Sequence, residues 1–321
     1  MSLSYCEAGV DIDKGNQLVS IIKEKVKFLP KRGGLGEIGL FGGFYEIPKG
    51  YREPILVSSC DGVGTKIKLA QALNSYSEIG IDLVAMSVND LVATGAKPLF
   101  FLDYLAFGKL NLDVASQIID GIIKGCEEAD CSLLGGETAE MPGVYAEKDL
   151  DLAGFAVGVV EKDEIITGKK ICDGDIIIGL ASSGLHSNGF SLVRKLFDKP
   201  KKEFLTPTRI YVQDVLAAKK ELTIRGIAHI TGGGLFENIG RILPDGLKAV
   251  IDKKSWEVPD VFLEIQEKGK IPEHEMFRTF NMGIGLALVI PKIEQEKAKE
   301  FMVIGRIEKG KSQESGVRNE K

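Results

Sequence analysis

Apolar positions along the chain recur at two distinct periods. Val19, Ile22 and Val26 fall at i, i+3 and i+7, which predicts a helix over residues 14–28 with Asp11 or Asp13 able to cap its start. Residues 113–129 give a clearer helix, with Val114, Ile118, Ile122 and Cys126 spaced every four residues along one face. Another helix is expected over residues 79–94, carrying Asn89 and Asp90. Short apolar runs read as strands at 55–57, 99–102, 132–134, 152–160, 176–178, 248–251, 284–290 and 302–307. Glycine-rich loops punctuate them, most visibly Gly33 to Gly43, Ser182 to Gly189 and Thr231 to Gly234. Residues 161–175 are polar and turn-rich and mark the expected boundary between two domains, 1–165 and 166–321. Helices and strands mix without strict alternation, so the fold class is α+β (mixed α/β) rather than a doubly wound parallel sheet. From Lys309 onward the chain is charged and poor in apolar residues, and disorder is expected there.

Composition narrows the function classes. A length of 321 residues suits two domains at ~150 residues each. The net charge of −5, from 41 basic and 46 acidic side chains, argues against a nucleic-acid binder. It leaves phosphorylated small molecules open, because backbone amides, lysines and metal ions hold phosphate locally. No apolar run approaches the ~18–20 residues of a membrane span, so no membrane association is expected. The first residues lack the basic and apolar regions of a signal peptide. The cysteines, Cys6, Cys60, Cys126, Cys131 and Cys172, form no Cys-x-x-Cys pair, which speaks against zinc and for a reducing compartment. A cytoplasmic location is expected.

Several residues have the chemistry of a phosphate site. Gly34-Leu35-Gly36-Glu37-Ile38-Gly39 fits G-x-G-x-x-G in form, but a helix and a Pro-Lys-Arg turn precede it where a dinucleotide site needs a strand. It reads either as a loop closing over phosphates or as a plain connection. A Walker A pattern is absent from the sequence. Asp61, Asp90 and Glu137 stand at the ends of apolar segments beside glycine or small polar residues. Separated carboxylates of this kind suit magnesium on a polyphosphate, and each also suits a turn or a helix cap. Lys66 is a candidate to neutralise phosphate oxygens or a solvated lysine. His186 and His229 flank glycine-rich turns, and either acid–base chemistry or a turn-holding hydrogen bond fits them. Ser187 and Asn188 in one turn, and Thr231, Gly232, Gly233 and Gly234 in the other, lie in stretches whose backbone amides suit an oxyanion.

The chain resembles aminoimidazole ribonucleotide synthetase, the phosphoribosylformylglycinamidine cyclo-ligase family. The matching stretches are Ala8–Asp13, Asp61–Lys66, Gly80–Leu91, Phe100–Tyr104, Gly135–Gly143, Ser183–Gly189, Pro207–Tyr211, Thr231–Gly234 and Phe277–Asn281, in one order from Ser4 to about Ile307. The resemblance implies two α+β domains and a homodimer whose N-terminal strands join in a β-barrel, with a C-terminal α/β domain. It implies that Asp61, Asp90 and Glu137 match the carboxylates that hold magnesium and ATP. Lys23 and the loop with Gly33, Gly34 and Gly36 would lie near the nucleotide, and Lys66 and Asn89, inside two of the motifs, are assigned there too. The implied reaction closes the imidazole ring of formylglycinamidine ribonucleotide in purine synthesis, with ADP and phosphate as products and an iminophosphate as intermediate. ATP and Mg2+ are the implied cofactors, and the partner is a small-molecule ribonucleotide. The chain departs from the family in extra residues around Glu37–Gly43, a shorter stretch between Arg194 and Thr206, and a tail without the usual apolar ending. A selenophosphate synthetase would carry a reactive cysteine in its N-terminal glycine loop, and a hydrogenase-maturation relative would end in one; neither is present. A catalytically silent nucleotide-binding scaffold is the rival of another class, and the intact carboxylates speak against it.

Overall fold

The structure is a computed structural model that describes residues 5, 8–36, 38–299 and 301–310, together with a backbone strand at 316–319. Cys6 and Glu37 lie outside the described residues. The chain divides into two compact units, one of residues 1–91 and 97–161 and one of residues 92–96 and 162–321.

In the first unit, helix α1 (Ile12–Val26) is capped by Asp11, whose carboxylate accepts the Lys14 N–H at 3.1 Å. Two-residue strands β1 (Gly34–Leu35) and β2 (Phe44–Tyr45) pair antiparallel at the foot of the glycine loop. Then follow β3 (Pro54–Gly62), α2 (Lys66–Leu73), α3 (Ser77–Ala93), β4 (Lys97–Phe107), α4 (Leu112–Glu128), β5 (Ser132–Glu140) and β6 (Leu150–Glu161). The strands form a four-stranded sheet in the order β3-β6-β4-β5, parallel only between β4 and β5. Side chains alternate between the faces of a strand. Leu150, Leu152 and Ala156 of β6 are accordingly buried, while Phe155 is exposed. A side chain at Gly154 would strike Leu83 of α3, so α3 covers the buried face. Gly80 and Gly121 let α3 and α4 approach backbone to backbone, since a Cβ at either would strike main-chain atoms of the other helix. The opposite face leaves Leu56 65% and Phe155 42% exposed.

The second unit contains β7 (Ile176–Ala181), α5 (Phe190–Leu196), α6 (Val212–Glu221), β8 (Gly226–His229), α7 (Gly234–Arg241), β9 (Leu247–Ile251), α8 (Asp260–Gly269), α9 (Glu273–Thr279), β10 (Ile284–Ile290), β11 (Met302–Lys309) and β12 (Gly316–Asn319). Its six strands run β12-β9-β11-β7-β10-β8. Every residue of β10 is buried, as its unbroken apolar run requires of a strand covered on both faces. The tail is not wholly irregular: β12 pairs parallel with β9, while residues 311–315, 320 and 321 lie outside the described part. Two units, each mixing helices with a largely antiparallel sheet, make the mixed α/β architecture expected from the sequence.

Candidate active site

Asp61 ends β3, and its Oδ1 accepts the Gly62 N–H at 2.7 Å. Ser59 lies two residues earlier on the same face of the strand. The Ser59 hydroxyl is 3.5 Å from Oδ2 of Asp90 on α3, so Asp61 and Asp90 share one side of the sheet. Glu137 belongs to β5, at the other edge, with β6 and β4 between. Three strand spacings amount to ~14 Å. The three carboxylates therefore do not converge within one chain, and no group of three or more such ligands occurs among the described residues. Magnesium commonly takes one or two carboxylates and completes its shell with phosphate and water, so the Asp61–Asp90 pair fits that ion.

Lys66 corrects the expectation drawn from its sequence context. It is fully buried, and its ammonium meets Asp82 of α3 at 2.7 Å, with no exposed area on either side chain. Burial lowers the Lys66 pKa, and the Asp82 carboxylate works against that shift. The ammonium therefore faces a carboxylate of its own core rather than a phosphate. Asn89 is likewise fully buried in α3.

The glycine loop bounds two adjoining hollows. One, of about 400 Å³, is lined by Lys23, Gly34 and Gly36 together with Lys27, Lys31 and Arg32. Gly33 faces the Tyr45 ring, which leaves no room for a side chain there. Gly39 packs on the end of Lys23. The other hollow, of about 600 Å³, is lined by Gly39 to Gly43, Asp103, Glu137 and Phe155, and shares Ile38, Gly43, Leu133 and Leu134 with the first. Asp103 belongs to the Phe100–Tyr104 stretch, where the sequence suggests no role for it. It is buried on β4, and burial first, then the charge of Glu137, pushes its pKa up to about 7. A side chain at Gly136 would collide with its carboxylate.

In the second unit the two small-residue turns are neighbours. A Cβ at Gly232 would lie 3.6 Å from Oδ1 of Asn188. Ser187 and Thr208 hydroxyls share a hydrogen bond of 3.0 Å. His186 is 1% exposed, in a left-handed conformation (φ 59°), and its Nε2 accepts the Ser183 N–H at 3.2 Å. His229, at the end of β8, is 6% exposed. Both imidazoles are thus buried, and that of His186 is bonded within its own turn. The tyrosine of the Pro207–Tyr211 stretch is bonded as well: the Tyr211 hydroxyl donates to the Ala181 carbonyl at 2.9 Å, and Arg209 stacks on its ring at 5.2 Å. Burial holds the Tyr211 phenol well above its ordinary pKa. Two buried asparagines bond to turn carbonyls: Asn281, which ends the Phe277–Asn281 stretch, and Asn238, which lies in none of the matching stretches. Asn238 stands between Glu237 and Ile239 on a short helix, where a buried polar residue is a signal in principle.

Residues 49–160 match the N-terminal domain, and residues 173–318 the C-terminal domain, of AIR synthase related proteins. Phosphoribosylformylglycinamidine cyclo-ligases from two strains of Coxiella burnetii, RSA 331 (Henzerling II) and RSA 493 (Nine Mile phase I), are each 53% identical over 313 residues, covering 94% of this chain and 89% of theirs. Among solved structures, thiamine-monophosphate kinase from Stenotrophomonas maltophilia K279a is similar with a TM-score of 0.70 at 19% identity, covering 94% of this chain and 95% of that one. Hydrogenase maturation protein HypE in complex with ATP is similar with a TM-score of 0.71 at 17% identity, covering 95% and 91%. These two likenesses concern the fold alone. The chain belongs to the AIR synthase related family and, within it, to the phosphoribosylformylglycinamidine cyclo-ligases, and is therefore an enzyme. No helix among the described residues is long and apolar enough to cross a membrane.

Proposed function

We propose that this enzyme closes the imidazole ring of formylglycinamidine ribonucleotide in purine synthesis, converting ATP to ADP and phosphate. Membership of the cyclo-ligase family is the observation that carries this reading. The glycine-lined hollows and the acidic strand and helix ends supply the parts it needs. An amide oxygen is a poor leaving group. Transfer of the γ-phosphoryl group to the formyl oxygen yields an iminophosphate; the amidine nitrogen that enters the ring then attacks the former formyl carbon, and phosphate leaves. The protein contributes position and charge neutralisation rather than covalent chemistry. Lys23 and the Gly33–Gly36 backbone hold the nucleotide at the smaller hollow. Asp61 and Asp90 would hold magnesium, which supplies neutralising charge to the polyphosphate. Glu137 meets the reactants from the larger hollow. Ser187, Asn188 and the Thr231–Gly234 amides hold a phosphate. ADP is expected only when the enzyme receives ATP and formylglycinamidine ribonucleotide together. ADP release at an equal rate without the ribonucleotide would refute the reading.

The enzyme is also proposed to work as a homodimer in which the exposed face of the β3-β6-β4-β5 sheet is covered by a second copy, the strands joining in a barrel. Leu56 and Phe155 stand out on that face, and a sheet with one helix-covered face and one apolar, uncovered face calls for a partner. A two-fold pairing buries the same patch on both copies. Light scattering at micromolar concentration should find a dimer for the natural chain and a folded monomer for Phe155→Glu. A monomeric natural chain would count against the assembly.

A further inference from the structure

The two turns of the second unit are each tied from one side by a buried asparagine. Asn238, on α7, is 3% exposed. Its Nδ2 donates to the carbonyls of Thr231 at 3.4 Å, Gly232 at 3.2 Å and Gly234 at 2.8 Å. An amide nitrogen has two protons, so three carbonyls share them and all turn toward one point. Asn281, also 3% exposed, does the same for the other turn. Its Nδ2 donates to the Gly184 carbonyl at 2.9 Å, and its Oδ1 accepts the Gly283 N–H at 2.9 Å.

Peptide geometry turns these bonds into an orientation. In a planar trans peptide the carbonyl of one residue and the N–H of the next point in opposite directions. Carbonyls of Thr231 and Gly232 aimed at Asn238 therefore aim the N–H groups of Gly232 and Gly233 away from it. The Gly184 carbonyl aimed at Asn281 does the same for the Leu185 N–H. Gly233, at φ 92°, follows a backbone path that glycine takes without strain and other residues rarely adopt. Asn188 borders the Gly232 side of the turn.

We propose that Asn238 and Asn281 are positioning residues that present the amide groups of the two turns to a phosphate group. This rests on the reading that the turns bind phosphate. The phosphate belongs either to the ribonucleotide or to ATP, and the two are separated by titrating each in turn.

The test uses the full chain and four forms: natural, Asn188→Ala, Asn238→Asp and Asn281→Asp. Aspartate keeps the size of asparagine but replaces the donor with an oxygen that repels carbonyls. Calorimetric binding of formylglycinamidine ribonucleotide and of a non-hydrolysable ATP analogue is measured for each, with steady-state kinetics and thermal melting alongside. For one of the two ligands, both aspartate variants should bind at least ~10-fold more weakly, the scale of one well-made hydrogen bond lost. Its KM should rise by a similar factor while kcat falls by less, and the other ligand should bind normally. If Asn238→Asp does not fold, Asn238→Leu, which withdraws the donor without adding charge and keeps a similar size, takes its place under the same expectation. Normal binding by the aspartate variants with weakened binding by Asn188→Ala would overturn the positioning role and leave the phosphate reading standing. Normal binding of both ligands by Asn188→Ala would remove the phosphate reading and the inference with it.

Discussion

Asp90→Asn and Glu137→Gln should each slow turnover by at least ~100-fold, the scale of a lost electrostatic contact to the transition state. Both substitutions keep shape and remove one negative charge. Asp90 and Asp61 share one side of the sheet, where Ser59 reaches Asp90, while Glu137 borders the larger hollow, apart from that pair. The two variants should therefore differ in their response to magnesium. Asp90→Asn should need more of the ion to reach its maximum, because it removes half of a carboxylate pair. Glu137→Gln should lose rate at every magnesium concentration. Steady-state kinetics across a magnesium titration decide this, with thermal melting as the check on folding. Near-normal turnover in both variants would remove the carboxylates from the mechanism.

A second large effect concerns stability rather than rate. Asp103 is buried beneath Gly136, and its pKa is pushed from 3.8 to about 7, chiefly by desolvation and further by Glu137. The folded chain keeps this carboxyl protonated up to about pH 7, while the unfolded chain ionises it near 3.8. Unfolding thus releases a proton between those two values, and stability from this group falls as pH rises across that window and levels off above it. A shift of this size corresponds to at most ~4 kcal/mol. An asparagine side chain at this position has no proton to lose, so the Asp103→Asn chain should melt several degrees above the natural chain at about pH 8, with the gap closing toward about pH 4.5. Urea or thermal unfolding at the two pH values measures it. Parallel behaviour of the two chains would show that Asp103 is not held protonated in the fold.

The sequence made some of this legible for simple reasons. Val114, Ile118, Ile122 and Cys126 repeat along α4 because one face packs inward, and three of those four side chains are indeed in the buried core. The run Ile284–Ile290 is apolar throughout because β10 is covered on both faces. Strand β3 extends well past the expected Ile55–Val57, since Ser58, Ser59, Cys60 and Asp61 carry no apolar alternation to announce it. Lys66 misled because its neighbours, Gly64 and Thr65, are those of a solvated turn; its partner lies on another element. The signal was Asp82, a lone carboxylate in the apolar run from Ile81 to Val84. Asp103, set between Leu102 and Tyr104, carried the same kind of signal. The neighbouring placement of the Ser183–Gly189 and Thr231–Gly234 turns could not be read from residues more than forty positions apart, because it depends on how β7, β8 and β10 pair.

Ring closure coupled to ATP is the claim on which the rest depends, and stoichiometry tests it most directly. The purified enzyme is mixed with ATP, magnesium and formylglycinamidine ribonucleotide, and ADP, phosphate and the imidazole product are quantified in the same samples over time. The account predicts one ADP and one phosphate for each ring closed, with all three rising together. Imidazole product formed without ADP, or ADP accumulating without imidazole product, would contradict it.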